Sequence, residues 1–416
     1  MAEAMSPQDK IALINKNLQE ILNPEIIEDV IVKQNRPLAV YWGKPGFCTA
    51  TTGRPHCGYF VPMLKLAHFL QAGCKVKILL ADIHGFLDNL KAPIELVKFR
   101  AEYYKYVITA LLKAVNVPID KLEFVLGSSY QLSEKYTMDI FRLSSVVTEH
   151  DAKKAGAEVV KQVENATLSG LIYPLMQALD EEHLGVDAQF GGVDQRKIFA
   201  LAKEVLPRVG YKERAHLMNP MVPGLAGGKM SASDPDSKID LLDTPEVVKK
   251  KIKKAFAPPK EVEGNGMMSF VEYVLLPAGA LQGEGQKFVV ERREGEPLVY
   301  TNIEKMHEDY KADILTPQLL KSGVTAALLA LLEPVQAAFQ ASQEWQDIER
   351  KAYPPPPEKK KKEKKKDLGK RHTDAKKVEA QPDGSVHGHG QQQVSVSTGA
   401  EEAMKQLELE KKAVES

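Results

Sequence analysis

Leu38-Ala39-Val40-Tyr41-Trp42-Gly43, followed by Thr51-Thr52-Gly53-Arg54-Pro55-His56-Cys57-Gly58-Tyr59, is the stretch that decides the fold. The first six residues read as a core strand, apolar and aromatic, stopped by Gly43. The second group follows that strand and opens a helix. Working outward, Val76-Lys77-Ile78-Leu79-Leu80-Ala81 reads as a second strand and Phe124-Val125-Leu126-Gly127 as a third. Val186-Asp187-Ala188-Gln189-Phe190 reads as a fourth. Long helical patterns separate them, for example from 95 to 115. Upstream, Ser6-Pro7-Gln8-Asp9 starts a helix, with Ser6 as N-cap and Asp9 at the positive end of the dipole. Ile11, Ile14, Leu18 and Ile21 then recur at helical spacing. Strands alternating with helices predict an α/β unit with a parallel sheet covered on both faces. Ligands of such sheets bind beyond the carboxyl ends of the strands.

The bulk properties narrow the classes. A chain of 416 residues has room for two domains and a tail. With 43% hydrophobic and 27% charged residues its composition is ordinary for globular protein. The formal net charge is zero, so no global field draws a polyanion and nucleic-acid binding would rest on local patches. Cys48, Cys57 and Cys74 show no paired or metal-like spacing, which favours a reducing compartment. The N-terminal residues resemble neither a secretory signal nor an Arg-rich transit peptide. No run approaches about 18 consecutive apolar residues, so no membrane span is expected. After about 235 helical patterns dominate, with one helix from 245 to 256 and two more between 316 and 340. Beyond Pro354-Pro355-Pro356-Pro357 the chain turns Lys-rich, then rich in Gly, Gln, Ser and His. That composition cannot offset the entropy of ordering, so residues 351–416 are expected to form a disordered tail.

Three polar elements sit just after strands. In Gly53 to Tyr59, Gly53 and Gly58 let backbone approach a ligand, and a helix N-terminus favours phosphate. Alone, the segment reads equally as a strand–helix turn capped by His56. Gly191-Gly192-Val193-Asp194-Gln195 joins two glycines to a carboxylate that can bond ribose hydroxyls, although a plain turn has the same pattern. Gly227-Gly228-Lys229-Met230-Ser231-Ala232-Ser233 describes a loop of small residues carrying one lysine. A lysine so placed can follow charge as it develops on a leaving phosphate. A solvated hinge is the other reading. Tyr173, Gln177 and Asp180 fall at i, i+4 and i+7 of a helical segment, a polar stripe that needs partners if buried. Lys249, Lys250, Lys251, Lys253 and Lys254 form a basic run suited to phosphate contacts or to a solvated helix face.

A His-x-Gly element, a Gly-Gly-x-Asp-Gln element and a Lys-Met-Ser loop, in that order, resemble the class I aminoacyl-tRNA synthetases. Leu171-Ile172-Tyr173-Pro174-Leu175-Met176-Gln177-Ala178-Leu179-Asp180 narrows the likeness to the tyrosyl branch of eukaryotic cytoplasm. So do His150-Asp151-Ala152-Lys153-Lys154-Ala155-Gly156 and His216-Leu217-Met218-Asn219-Pro220-Met221-Val222-Pro223-Gly224. The resemblance covers about 6–350. It implies a Rossmann-type catalytic domain over 1–234, ending in the loop 229–233, then an α-helical anticodon-binding domain over 235–350. It implies ATP as substrate, carried with Mg²⁺, and no metal site in the protein itself. ATP would contact Gly53, His56, Gly58, Gly192, Asp194 and Lys229, and His56, Lys229, Ser231 and Ser233 would be catalytic. L-tyrosine would be held at its amino end by Tyr173, Gln177 and Gln195, with Asp82 as a further ammonium partner. Tyr41 and Asp180 would bond its phenol hydroxyl.

A site built around a substrate hydroxyl rejects the analogue lacking it, because its own buried groups go unpaired. Tyrosyl-tRNA synthetase against phenylalanine is itself the standing example, at roughly 10⁵ without editing, so no editing domain is expected. The other partners implied are tRNA(Tyr) and a second copy of the chain, with the segment from Tyr136 to Val160 as the candidate dimer face. The expected location is cytoplasmic, and the basic run at 249–254 also resembles a nuclear localisation signal. The chain departs from the family pattern at Tyr59, often His or Asn, and at Ala232, usually a second lysine. Residues 44–48 look like an insertion at the pocket mouth. Two other readings share the same features: a tryptophanyl enzyme, and an RNA-binding paralogue without catalysis.

Overall fold

A computed structural model describes residues 5–43, 54–87, 94–117, 119, 121–159, 167–224, 238–281 and 285–354. They belong to one unit, Met1–Pro356, and a second unit, Pro357–Ser416, lies outside the described residues. The strands are β1 (Glu20–Leu22), β2 (Ala39–Trp42), β3 (Lys75–Leu80), β4 (Leu122–Leu126), β5 (Ala188–Gly192) and β6 (Ala215–Asn219). They form one sheet in the order β1-β6-β5-β2-β3-β4. The pairs among β2 to β6 are parallel, and β1 joins β6 antiparallel at the edge. The central strands are buried on both faces, as a sheet covered by helices on each side requires. This explains their near-continuous apolar and aromatic sequence.

The chain runs from β2 outward to β3 and β4, then returns to the other side of β2 with β5 and β6. The reversal places a topological switch point between β2 and β5, where a crevice opens beyond the strand ends. Sequence reading did not identify β1 or β6 as strands. Glu20-Ile21-Leu22 is too short to show a period, and its apolar residues also fit the helical spacing of the segment before it. Ala215–Asn219 carries a histidine and an asparagine, both buried, which mask the strand pattern.

The helices that matter most here are α1 (Pro7–Asn15), α2 (Phe60–Gln71), α3 (Asp82–Leu87), α4 (Ile94–Ala114), α5 (Glu134–Ser144), α6 (Leu168–His183), α7 (Pro245–Lys254), α8 (Pro317–Ala341) and α9 (Gln343–Ala352). Ser6 caps α1 as expected, its hydroxyl accepting from Asp9 N. The two helices expected between 316 and 340 are a single helix, α8, with Pro334 inside it. Although α8 is long and apolar enough to cross a membrane, its buried residues Leu320, Val324, Leu328, Leu331, Leu332 and Val335 recur every three or four positions. That is the face of a helix packed on a core. The helical region also contains an antiparallel hairpin, Phe288–Val290 with Leu298–Tyr300, turned through Gly295 at φ +83°.

Helix α9 lies against α4. Arg100 Nε donates to Ala352 O at 2.9 Å, Trp345 stacks on Tyr106 with centroids 5.7 Å apart, and Arg54 pairs with Glu349. The end of the helical region therefore rests on the sheet-bearing part, beside the turn that carries His56.

Candidate active site

The crevice beyond β2 and β5 is lined by Trp42, His56, Gly58, Gly191, Gly192, Asp194 and Asn219, among others. His56 precedes a single 3-10 turn, Cys57–Tyr59, and its Nδ1 accepts from Gly58 N at 3.2 Å. A neutral imidazole with Nδ1 as acceptor carries its proton on Nε2, so Nε2 is a donor. Tyr59 meets the His56 ring edge-on at 5.3 Å and fills the core beneath the turn, which gives the unusual residue at this position a packing role. Burial raises the Cys57 thiol to about 12, so it is a packing residue and not a nucleophile.

The turn is also tied to a distant segment. Cys57 N donates to Ile239 O at 2.9 Å, and His56 forms a bridge with Asp240. The segment just after the expected lysine loop is thereby pinned beside His56. Lys229, Ser231, Ser233 and Gly53 themselves lie outside the described residues, as does the 44–48 segment.

Gly191 and Gly192 end β5, and the side chains of Asp194 and Gln195 fold back over them. A Cβ on Gly191 would sit 2.6 Å from Gln195 Nε2, and one on Gly192 would collide with Asp194 Oδ1. Glycine at both places lets Asp194 and Gln195 lie close against the backbone in this arrangement. Asp194 thus reaches the crevice, while Gln195 turns inward and accepts from Gln177 Nε2 at 2.9 Å.

Gln177 belongs to a second, deeper pocket, lined by Tyr41, Gly43, Leu79, Ala81, His84, Tyr173, Gln177 and Asp180. Tyr41 and Asp180 are fully buried, and Tyr41 Oη donates to Gln177 O at 3.2 Å. Asp180 is held through one oxygen only. Its Oδ1 accepts from Tyr130 Oη at 2.7 Å, Gln131 Nε2 at 2.8 Å and Tyr136 Oη at 2.9 Å. Its Oδ2 has no hydrogen-bond partner among the described residues. His84 Nε2 lies 3.6 Å from that oxygen, but burial lowers its pKa to about 3. The imidazole is neutral and the contact is not an ion pair.

Burial raises the Asp180 carboxyl to about 7, against the downward pull of its three hydrogen bonds. Gln177 Oε1 and Gln195 Nε2 are likewise buried without partners. Unpaired buried polar atoms are costly, and Asp180 and Gln177 line a pocket whose occupant would satisfy theirs.

Most of the site expected from sequence is brought together: Tyr41, Tyr173, Gln177 and Asp180 around the deep pocket with Gln195 bonded to Gln177, and His56, Gly58, Gly192 and Asp194 around the crevice. Asp82 stands apart from both linings. Its Oδ1 accepts from Ser128 N at 2.8 Å and so holds the turn after β4, leaving Oδ2 without a partner. Sequence reasoning missed Tyr130, Gln131 and Tyr136 as the groups that hold Asp180. The sole signal was that a buried carboxylate must find donors. Of the basic run on α7, Lys249, Lys250, Lys253 and Lys254 are exposed. Lys251 is taken up by Asp243, at 2.6 Å.

The family described as tRNA synthetases class I (W and Y) matches residues 33–333. The cytoplasmic tyrosine–tRNA ligase of Saccharomyces cerevisiae is 60% identical over 358 residues, covering 85% of this chain and 90% of the relative. That of Danio rerio is 55% identical, covering 85% of this chain and 65% of the relative. The crystal structure of Archaeoglobus fulgidus tyrosyl-tRNA synthetase complexed with L-tyrosine superposes with a TM-score of 0.71 at 37% identity, covering 80% of this chain and 99% of that one. The chain therefore belongs to the class I tRNA synthetases, in the eukaryotic cytoplasmic tyrosyl group.

Proposed function

We propose that this chain is a cytoplasmic tyrosine–tRNA ligase that activates L-tyrosine in these two pockets and transfers it to tRNA(Tyr). The observation that carries this reading is the buried Asp180 carboxylate, with one oxygen saturated by protein donors and the other left for a hydroxyl. A phenol in the deep pocket reaches that oxygen, with Tyr41 beside it. The amino acid's other end then meets Tyr173, Gln177 and Gln195, and Asp82 Oδ2 is the proposed further ammonium partner. ATP, carried with Mg²⁺, occupies the crevice, its ribose on Asp194 and its phosphates at His56 and Gly58.

The tyrosine carboxylate oxygen attacks the α-phosphorus. The bond to the bridging oxygen breaks, and pyrophosphate leaves with both electrons. His56 donates through Nε2–H to phosphate oxygens as charge builds, and Lys229, flanked by Ser231 and Ser233, does the same from its loop. The 2′-hydroxyl of the terminal tRNA adenosine then attacks the tyrosyl carbonyl and AMP departs. The work is positioning and charge stabilisation, with no covalent enzyme intermediate. The helical region from 235 onward reads the anticodon, and the exposed lysines of α7 contact tRNA phosphates.

ATP–pyrophosphate exchange on purified protein tests the reading. Exchange is expected with tyrosine and not with tryptophan or phenylalanine. Exchange with tryptophan alone, or tRNA binding without exchange, contradicts it.

The active form is a homodimer. Met138 and Phe141, one turn apart on α5, are 50% and 61% exposed, and Leu132 and Leu168 nearby in sequence are 67% and 76% exposed. Apolar side chains of this size favour a partner surface. Phe141→Glu is expected to yield a monomer in sedimentation at micromolar protein, and an unchanged dimer contradicts this assignment.

Asp180 also predicts a pH dependence. Its native pKa of about 7 lies above the ordinary 3.8, so the folded chain holds this proton more tightly than the unfolded one. The stability it contributes is complete below about pH 4 and is lost as pH rises through about 7. The ionised form is the better acceptor for a phenol, so the tyrosine-over-phenylalanine preference in exchange should rise between about pH 6 and 8. Asp180→Asn should make that profile flat.

A further inference from the structure

The face of the sheet beneath α6 carries polar side chains in register. Lys77 on β3 pairs with Tyr41 on β2, Tyr41 with Gln189 on β5, and Gln189 with His216 on β6. Three of the four meet α6 at successive points along one face. Tyr41 Oη donates to Gln177 O, Lys77 Nζ donates to Leu184 O at 2.9 Å, and His216 Nε2 lies 2.7 Å from Glu181 Oε1. Gln177, Glu181 and Leu184 fall at i, i+4 and i+7, so the row fixes both the height and the roll of the helix.

The Glu181–His216 pair is the part no step of the reaction uses. Both side chains are fully buried, and the imidazole stacks on Phe199 at 4.9 Å. Gln189, between Tyr41 and His216, is also fully buried, and neither of its amide atoms has a partner among the described residues. Stability alone would favour leucine and phenylalanine here, because replacing a buried polar pair by apolar residues is commonly neutral or stabilising. The pair's value must lie in what it orients. Glu181 directly follows Asp180, so anchoring Glu181 to β6 sets the direction of the Asp180 side chain on the same turn.

We propose that the Glu181–His216 pair is a positioning device for substrate selectivity: it locks the roll of α6 so that Asp180 Oδ2 stays aimed into the deep pocket. This rests on the reading of that pocket as a tyrosine site. Without the pair α6 keeps its apolar packing and its contacts with Tyr41 and Lys77 but loses its anchor beside Asp180, and a shift of a few degrees there is enough to misplace an acceptor whose hydrogen bond is steeply directional.

The test compares Glu181→Gln with the double variant Glu181→Leu/His216→Phe, measuring kcat/KM for tyrosine and phenylalanine in pyrophosphate exchange together with thermal unfolding. The double variant should unfold at or above the wild-type temperature and lose about tenfold or more of its tyrosine-over-phenylalanine preference, mainly through a higher KM for tyrosine. Glu181→Gln, which keeps a hydrogen bond to His216, should stay within about threefold of wild type. The proposal is overturned by a folded double variant with unchanged preference, by equal losses on both amino acids, or by a double variant that does not fold, since the pair would then serve the fold itself. Wild-type protein that shows no selectivity for tyrosine overturns the pocket reading, and this proposal with it.

Discussion

Asp180→Ala is expected to lower the preference for tyrosine over phenylalanine by about 10² to 10³, with phenylalanine activation changed far less. The pocket is apolar on its walls, with Leu79 and Ala81, and polar at its end. A bound phenylalanine leaves Asp180 Oδ2 buried and unpaired, which is the penalty that excludes it. Removing the carboxylate removes the penalty for phenylalanine and the charge-assisted hydrogen bond for tyrosine together. Each contributes a few kcal/mol, and about 1.4 kcal/mol corresponds to a factor of ten. Tyr130, Gln131 and Tyr136 would lose their shared acceptor as well, so some general loss of activity accompanies the change in preference. The ratio of kcat/KM values separates the two effects. An unchanged ratio in a folded variant would remove Asp180 from the hydroxyl site.

The second large effect is expected on the phosphate side. His56→Ala should reduce kcat for adenylate formation by about 10² to 10³, in line with the loss of one preorganised donor to developing charge. Tyrosine affinity should stay within about twofold, because His56 lines the crevice and not the deep pocket. Lys229→Ala should show the same pattern, a large fall in kcat with little change in ground-state binding. Position 232, usually a second lysine in the family pattern, is alanine here. Equal losses in kcat and in tyrosine binding for either variant would show that the residue acts before the transition state. Single-turnover kinetics with pre-bound tyrosine distinguishes the cases.

Much of this architecture is legible in the sequence, and for identifiable reasons. The strand at 38–43 and the turn at His56 follow from an apolar run ended by glycine and a segment that starts a helix. Tyr173, Gln177 and Asp180 could be placed on one face because helical periodicity fixes their relative directions regardless of the rest of the fold. Gly191 and Gly192 could be read as places for close approach, although the groups that approach are the chain's own Gln195 and Asp194.

What escaped reading depends on contacts between distant segments. Tyr130, Gln131 and Tyr136 converge on Asp180 from more than forty positions away in sequence, and no local spacing announces that. His216 on β6 and Glu181 on α6 pair only once the sheet has assembled, and their polar character hides the strand. The 316–340 segment, expected as two helices, is one, and it continues through Pro334 because its apolar face packs on the core along its length. Asp82 looked like a ligand-facing residue at a strand end, but its position was not enough to show that one oxygen holds the turn at Ser128.

The central claim is that the deep pocket grips a phenolic amino acid by its hydroxyl at Asp180 and presents its carboxylate to a nucleotide in the crevice at His56. A crystal structure of the full chain with L-tyrosine and a non-hydrolysable ATP analogue tests it most directly. The account predicts the phenol oxygen within about 3 Å of Asp180 Oδ2, and the phosphates against His56 Nε2. An aromatic ring lying outside the pocket of Tyr41 and Asp180, or a nucleotide bound away from Gly192 and Asp194, would contradict it.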